Sequence, residues 1–94
     1  MAQNTTKEIP GEAWTQLTDA DIVSISFQNL SSNYILIKAT TDTTAPTDSL
    51  GAIRYNPGQG ERNVLLSDLF PGLAARDRLW AYAPTPARVF VSHA

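Results

Sequence analysis

At 94 residues, with 43% hydrophobic and 17% charged residues, no Cys and a formal net charge of −2, the chain has room for one domain of ordinary globular composition. The lack of Cys excludes disulfide staples and thiolate metal sites, and the slight acidic excess argues against the basic face that a nucleic-acid partner requires. No segment approaches the apolar length of a membrane span and the start, Met1 to Lys7, lacks a signal-peptide core, so cytoplasmic synthesis without a membrane partner is expected.

Taken in chain order, residues 1–12 are polar, end in the breaker pair Pro10-Gly11 and read as a flexible N-terminal arm, with a single β domain over 13–94. Trp14 and Leu17 open the ordered part as a short edge strand, and Asp19-Ala20-Asp21 reads as a turn. Val23, Ile25 and Phe27 alternate with Ser24 and Ser26, which predicts a strand over 22–28 with the apolar set on one face. Asn29-Leu30-Ser31-Ser32-Asn33 has hairpin-loop chemistry, and the strand at 34–40, with Ile35, Ile37 and Ala39 inward, is expected to pair back on 22–28. Residues 40–50, rich in Thr and broken by Pro46, form a polar loop long enough to reach a neighbour.

A strand at 51–56, a turn at Pro57-Gly58-Gln59-Gly60 and a strand at 62–67 read as a second hairpin. Residues 68–74 form a corner, with Leu69 and Phe70 plugging one end of the core and a tight turn at Pro71-Gly72. Strands at 76–83 and 87–93, linked through Pro84-Thr85-Pro86, complete an all-β domain: a small antiparallel β-sandwich or partly open barrel of about six to seven strands. Charge is uneven along the chain. Residues 1–50 carry two lysines against six acids, whereas residues 51–94 carry five arginines against three acids. If those halves were also spatial halves, the resulting dipole would suit head-to-tail or ring association.

Catalytic chemistry has little to draw on. His93 is the sole imidazole, lies beside the chain end and has no recognisable nucleophile or orienting group, so it reads as a surface or packing residue. Asp19 and Asp21 have the spacing of two oxygen ligands but read as turn residues. Gly58-Gln59-Gly60 lacks the following helix that a phosphate loop needs. No catalytic residue, metal site or cofactor is expected, and the chain does not read as an enzyme.

Aromatic residues offer more. Trp80 and Tyr82 lie two apart and share one face of their strand with Arg78, while Leu79, Ala81 and Ala83 take the other. If the aliphatic set faces the core, the aromatic pair is exposed and marks a partner or ligand surface. The alternative, favoured for Trp80, places the rings inside and the small alanines outside. An exposed set would suit a protein partner better than a sugar, since Trp, Tyr and Arg are common interface anchors. The candidate partner-binding residues are Trp14, Arg78, Trp80 and Tyr82, with Thr43, Thr44 and Pro46 of the long loop.

Trp14-Thr15-Gln16-Leu17-Thr18 near the start, Ile25-Ser26-Phe27-Gln28-Asn29, the Thr/Pro loop at 40–48 and the closing Arg88-Val89-Phe90-Val91-Ser92-His93-Ala94 together give a layout over residues 14–94. That layout resembles small all-β accessory virion structural proteins of tailed bacteriophages, of head-decoration, head-fibre or tail-adaptor type. The resemblance implies a homo-oligomer, a trimer by preference, located in the virion and bound to the major capsid protein or another virion protein. It also implies that residues 1–12 dock on that partner. A carbohydrate-binding module that aids attachment to a host surface is the alternative, with a glycan as ligand.

Overall fold

Among the described residues the period-two alternation is realised as eight strands, and only one sequential pair of these is hydrogen-bonded. A computed structural model describes residues 3–18, 22–41, 44–71 and 78–93. In chain order the elements are β1 (Gln3–Ile9), β2 (Thr15–Gln16), β3 (Ser24–Asn29), β4 (Ile35–Thr40), β5 (Ile53–Tyr55), β6 (Gly60–Leu65), α1 (Leu66–Leu69), β7 (Arg78–Tyr82) and β8 (Ala87–His93). They form two four-stranded antiparallel sheets, ordered β1-β8-β3-β6 and β2-β7-β4-β5. Neither sheet closes on itself, so the architecture is a sandwich rather than a barrel.

The inner faces supply the core. Ile9, Ile25, Phe27, Ala87, Val89 and Val91 come from the first sheet, and Ile35, Ile37, Tyr55, Leu79, Ala81 and Ala83 from the second. Each fully buried Val, Leu, Ile or Phe contributes about 1.5–3 kcal/mol. Leu17, Ile22 and Leu66 are buried with this set, and Leu69 and Phe70 pack against it from the corner that follows β6. Val23, expected inside, is 76% exposed, while Ile22 is buried in its place. The regular alternation begins only at Ser24, after the Val23 carbonyl has accepted a bond from Leu66 N–H at 2.9 Å.

Three local expectations are corrected. Residues 3–9 are not an arm: they form β1, paired residue for residue with β8 from Gln3↔His93 to Ile9↔Ala87, and Ile9 is buried. The link 29–33 is not a hairpin, because β3 has β6 and β8 on its two edges while β4 pairs with β5 and β7 in the other sheet. For the same reason β5 and β6 make no second hairpin. The turn between them does form: Gln59 N–H bonds the Asn56 carbonyl at 3.0 Å, and Gly58 takes a φ of +83° behind Pro57. The chain therefore crosses between sheets at most of its turns.

Asn29 makes the crossing after β3. Its side chain ends the inward row of that strand and is fully buried, with every bonding direction occupied. Nδ2 donates to the carbonyls of Asn33 (2.8 Å) and Tyr55 (3.1 Å), and Oδ1 accepts from Ser31 N–H (2.9 Å) and Ser31 Oγ (2.5 Å). One amide thus shapes the arch and ties β3 of the first sheet to β5 of the second.

Asp19, Asp21, Thr43, Gly72, Leu73, Ala74 and Arg76 lie outside the described residues.

Candidate functional site

Leu79, Ala81 and Ala83 face the core, so Arg78, Trp80 and Tyr82 stand on the outer face of the β2-β7-β4-β5 sheet. Strand register then places the other residues beside them. Trp14 precedes the Thr15↔Ala81 pair and lies next to Tyr82, which is opposite Leu36, which in turn is opposite Arg54. One row of Trp14, Tyr82, Leu36 and Arg54 therefore crosses all four strands. The Trp14 and Tyr82 rings are 5.4 Å apart and tilted by 46°, and Arg54 Cζ lies 4.1 Å above the ring of Tyr34, which precedes β4. Arg54 Nε is held by Asn56 Oδ1 at 3.2 Å. Trp14, Tyr34, Leu36 and Tyr82 are half-buried and Arg54 is exposed.

Trp80 follows neither alternative drawn from the sequence. It points away from the core, in the next row of that outer face, yet is only 6% exposed. Its neighbours there are Gln16 and Lys38, and its indole N–H donates to Thr40 Oγ1 at 2.7 Å. Lys38 tethers the long loop beside this row, through 3.0 Å to Asp48 Oδ1 and 3.4 Å to the Asp48 carbonyl. The Lys38 bond, together with the Leu50 N–H, holds the Asp48 carboxyl below the usual carboxylate range. Of the loop candidates, Thr44 is exposed and Pro46 half-buried. The structure thus joins Trp14 to Tyr82 in one surface row and places Trp80 and Arg78, buried and half-buried, in the adjoining row, beside a loop whose described residues are mostly exposed.

Tyr34, Leu36 and Arg54 were not singled out in the sequence. Their signal is the alternation in reverse: once Ile35 and Ile37 are inward, an aromatic and a leucine remain on the solvent face of the same strand.

The outer face of the other sheet is a shallow depression of about 380 Å³ floored by Phe90 and lined by Ser26, Gln28, Arg62 and Ser92. Three of its polar groups are engaged within the fold. Ser26 Oγ accepts from Asn63 N–H, Gln28 Nε2 donates to the Gly58 carbonyl, and Ser92 Oγ donates to Asn4 Oδ1. Arg54 and Arg78 lie on one outer face and Arg62 and Arg88 on the other, so the positive half of the sequence is not a positive side of the fold. His93 is buried, and among the described residues no group of three His, Asp or Glu side chains is placed to hold a metal ion. The chain matches no protein-family model, no curated protein and no solved structure.

Proposed function

We propose that the chain is a non-enzymatic interaction domain that docks through the row Trp14, Tyr82, Leu36 and Arg54. In this reading it serves as an accessory structural protein of a virion, of capsid-decoration or head-fibre type, bound to a capsid or other virion protein and to copies of itself. The row carries the first part. Trp, Tyr and Arg dominate binding energy at protein interfaces, and a row of two half-buried, mutually packed rings with a guanidinium stacked on Tyr34 offers a partner large apolar area with little side-chain entropy left to lose. The virion assignment rests on the resemblance of the sequence layout over residues 14–94 to small all-β phage accessory proteins.

A glycan is the second reading, favoured by the paired rings of Trp14 and Tyr82. Two features weigh against it: the 46° tilt departs from the coplanar platform a pyranose needs, and Trp80, which would have extended that platform, is covered with its N–H bonded to Thr40.

Co-sedimentation with capsid shells isolated from the phage or prophage that encodes the chain tests the first reading. Wild-type protein is expected to sediment with the shells, and Arg54→Glu, at an exposed position and with its fold checked by far-UV spectrum and melting temperature, to lower retention at least about tenfold. Equal retention of the variant would remove this row from the interface, and absence of wild-type retention would remove the virion reading. Binding to a glycan array that Arg54→Glu leaves intact would move the assignment to the sugar.

A further inference from the structure

An open sandwich has four sheet edges, and each exposed edge is a template for another strand unless it is blunted. Three are blunted here. β2 is two residues long and β5 three, and β6 is interrupted where Asn63 takes a φ of +48° and the pairing with β3 shifts register. β1 is different. It runs seven residues without a bulge, contains no Pro or Gly, and pairs continuously with β8 on one side only. Among the described residues no further backbone hydrogen bond reaches it.

We propose that β1 is a self-association edge, where a second copy of this chain adds its own β1 antiparallel about a two-fold axis at Thr6. This deepens the self-association part of the function proposed above and rests on it. The choice of occupant and register follows from the side chains. Opposite residues of an antiparallel pair lie on the same face, so a two-fold axis must fall on a residue rather than between two. An axis on Lys7 or Glu8 sets like charges against each other. An axis on Thr6 avoids this: Lys7 meets the partner's Thr5, and Glu8 meets the partner's Asn4.

The last pair is complementary in detail. Asn4 Oδ1 accepts from Ser92 Oγ, which leaves its amide N–H₂ as a donor, and the Glu8 carboxylate, 3.9 Å from Arg88 Nε and largely exposed, retains acceptor capacity. Across the axis this forms a polar row of Ser92, Asn4, the partner's Glu8 and the partner's Arg88, repeated twice by symmetry. A second β1 brings a donor and an acceptor to both of these positions by symmetry.

The test is light scattering of the 94-residue protein across a dilution series, with three variants. Wild type is expected at twice the 10.2 kDa of one chain. Thr6→Glu sets two carboxylates face to face at the axis and is expected to weaken dimerisation about fivefold or more, with an unchanged far-UV spectrum. The native chain has no Cys, so oxidation of Thr6→Cys reports the register: opposed residues are about 4.5–5.5 Å apart, within disulfide reach. Glu8→Cys, about 14 Å from its symmetry mate in this register, is expected not to cross-link. A wild-type monomer throughout the series, an oligomer that Thr6→Glu does not weaken, or equal cross-linking at both positions would overturn the edge pairing. Retention of Thr6→Glu on capsid shells would then show that docking through the aromatic row stands without it.

Discussion

Replacing Asn29 by Ala should destabilise the whole fold through the junction between its two sheets. The substitution removes four hydrogen bonds. The Tyr55 carbonyl loses its bond in a buried setting, which costs about 1–3 kcal/mol, and the partly buried bonds to Asn33 and Ser31 add roughly 0.5–1.5 kcal/mol each. Not all of these add, because Ser31 and Asn33 gain access to water once the arch loosens, so a net loss of about 3 kcal/mol is expected. A domain of this length has a total stability of about 5–14 kcal/mol. The change should lower the melting temperature by about 12–24 °C and the urea midpoint in proportion, with the slope unchanged. Urea unfolding followed by circular dichroism measures it. A loss under about 1 kcal/mol would refute the view that this amide joins the sheets. Asn29→Asp refines the point. It keeps the acceptor toward Ser31 but turns a carboxylate toward two carbonyls, so burial raises its pKa and its deficit against wild type should grow as pH rises from about 4 to 7.

Three further outcomes are expected. Gly60→Ala would place a Cβ 2.0 Å from the Phe27 carbonyl oxygen and 2.7 Å from Gln28 Cα, so the β3–β6 edge must part; a loss of about 2–3 kcal/mol in thermal unfolding is expected, and near-neutral behaviour would contradict that close approach. Trp80→Phe keeps a buried ring but forfeits the bond to Thr40, and should cost about 1 kcal/mol while leaving capsid-shell retention unchanged. Burial, and then the 3.1 Å bond to Glu61, push the Tyr55 phenol well above its ordinary range. Because the raised group stabilises the fold fully below its unfolded pKa of about 10 and loses that contribution above it, stability should fall from about pH 10 upward. Tyr55→Phe should flatten that alkaline decline, as read by melting temperature against pH.

Strand positions were legible because burial on one face writes itself as alternation, and Ile35-Leu36-Ile37 or Val89-Phe90-Val91 can satisfy a two-sided sandwich in only one way. Pairing was not legible. Asn29 to Asn33 has the polar, turn-favouring residues of a hairpin loop, yet the same residues build an arch when the Asn side chain bonds the carbonyls of Asn33 and Tyr55 instead of allowing β3 and β4 to zip. The partners of β3 are more than thirty residues downstream, beyond the reach of any local pattern. Residues 3–9 read as an arm because an edge strand needs little apolar surface: Ile9 alone is buried, and Thr5 and Thr6 supply β-propensity without hydrophobicity. On the aromatic face, the i, i+2 rule placed Trp80 and Tyr82 together. Neither the burial of Trp80 nor the assembly of Trp14, Leu36 and Arg54 into one row could be seen before strand order was known.

The aromatic row and the β1 edge belong to different sheets, and their geometry relates them. A two-fold axis that pairs β1 with β1 stands perpendicular to the sheet it extends. It therefore leaves the second sheet of both copies on the same side. A β1-paired dimer would present two copies of the Trp14, Tyr82, Leu36 and Arg54 row in one direction, as a bivalent surface. On a particle with repeated sites, the second row then binds at an effective concentration set by the first, and retention can exceed that of one row by two orders of magnitude or more, about 10²–10⁴-fold. Thr6→Glu and Arg54→Glu should therefore weaken shell binding in different ways. The edge variant would retain the affinity of a single row and lose only avidity, whereas Arg54→Glu would lower affinity at each row. Dissociation from shells measured at low and high site occupancy separates the two, and identical off-rates for wild type and Thr6→Glu would show that the two surfaces do not act together.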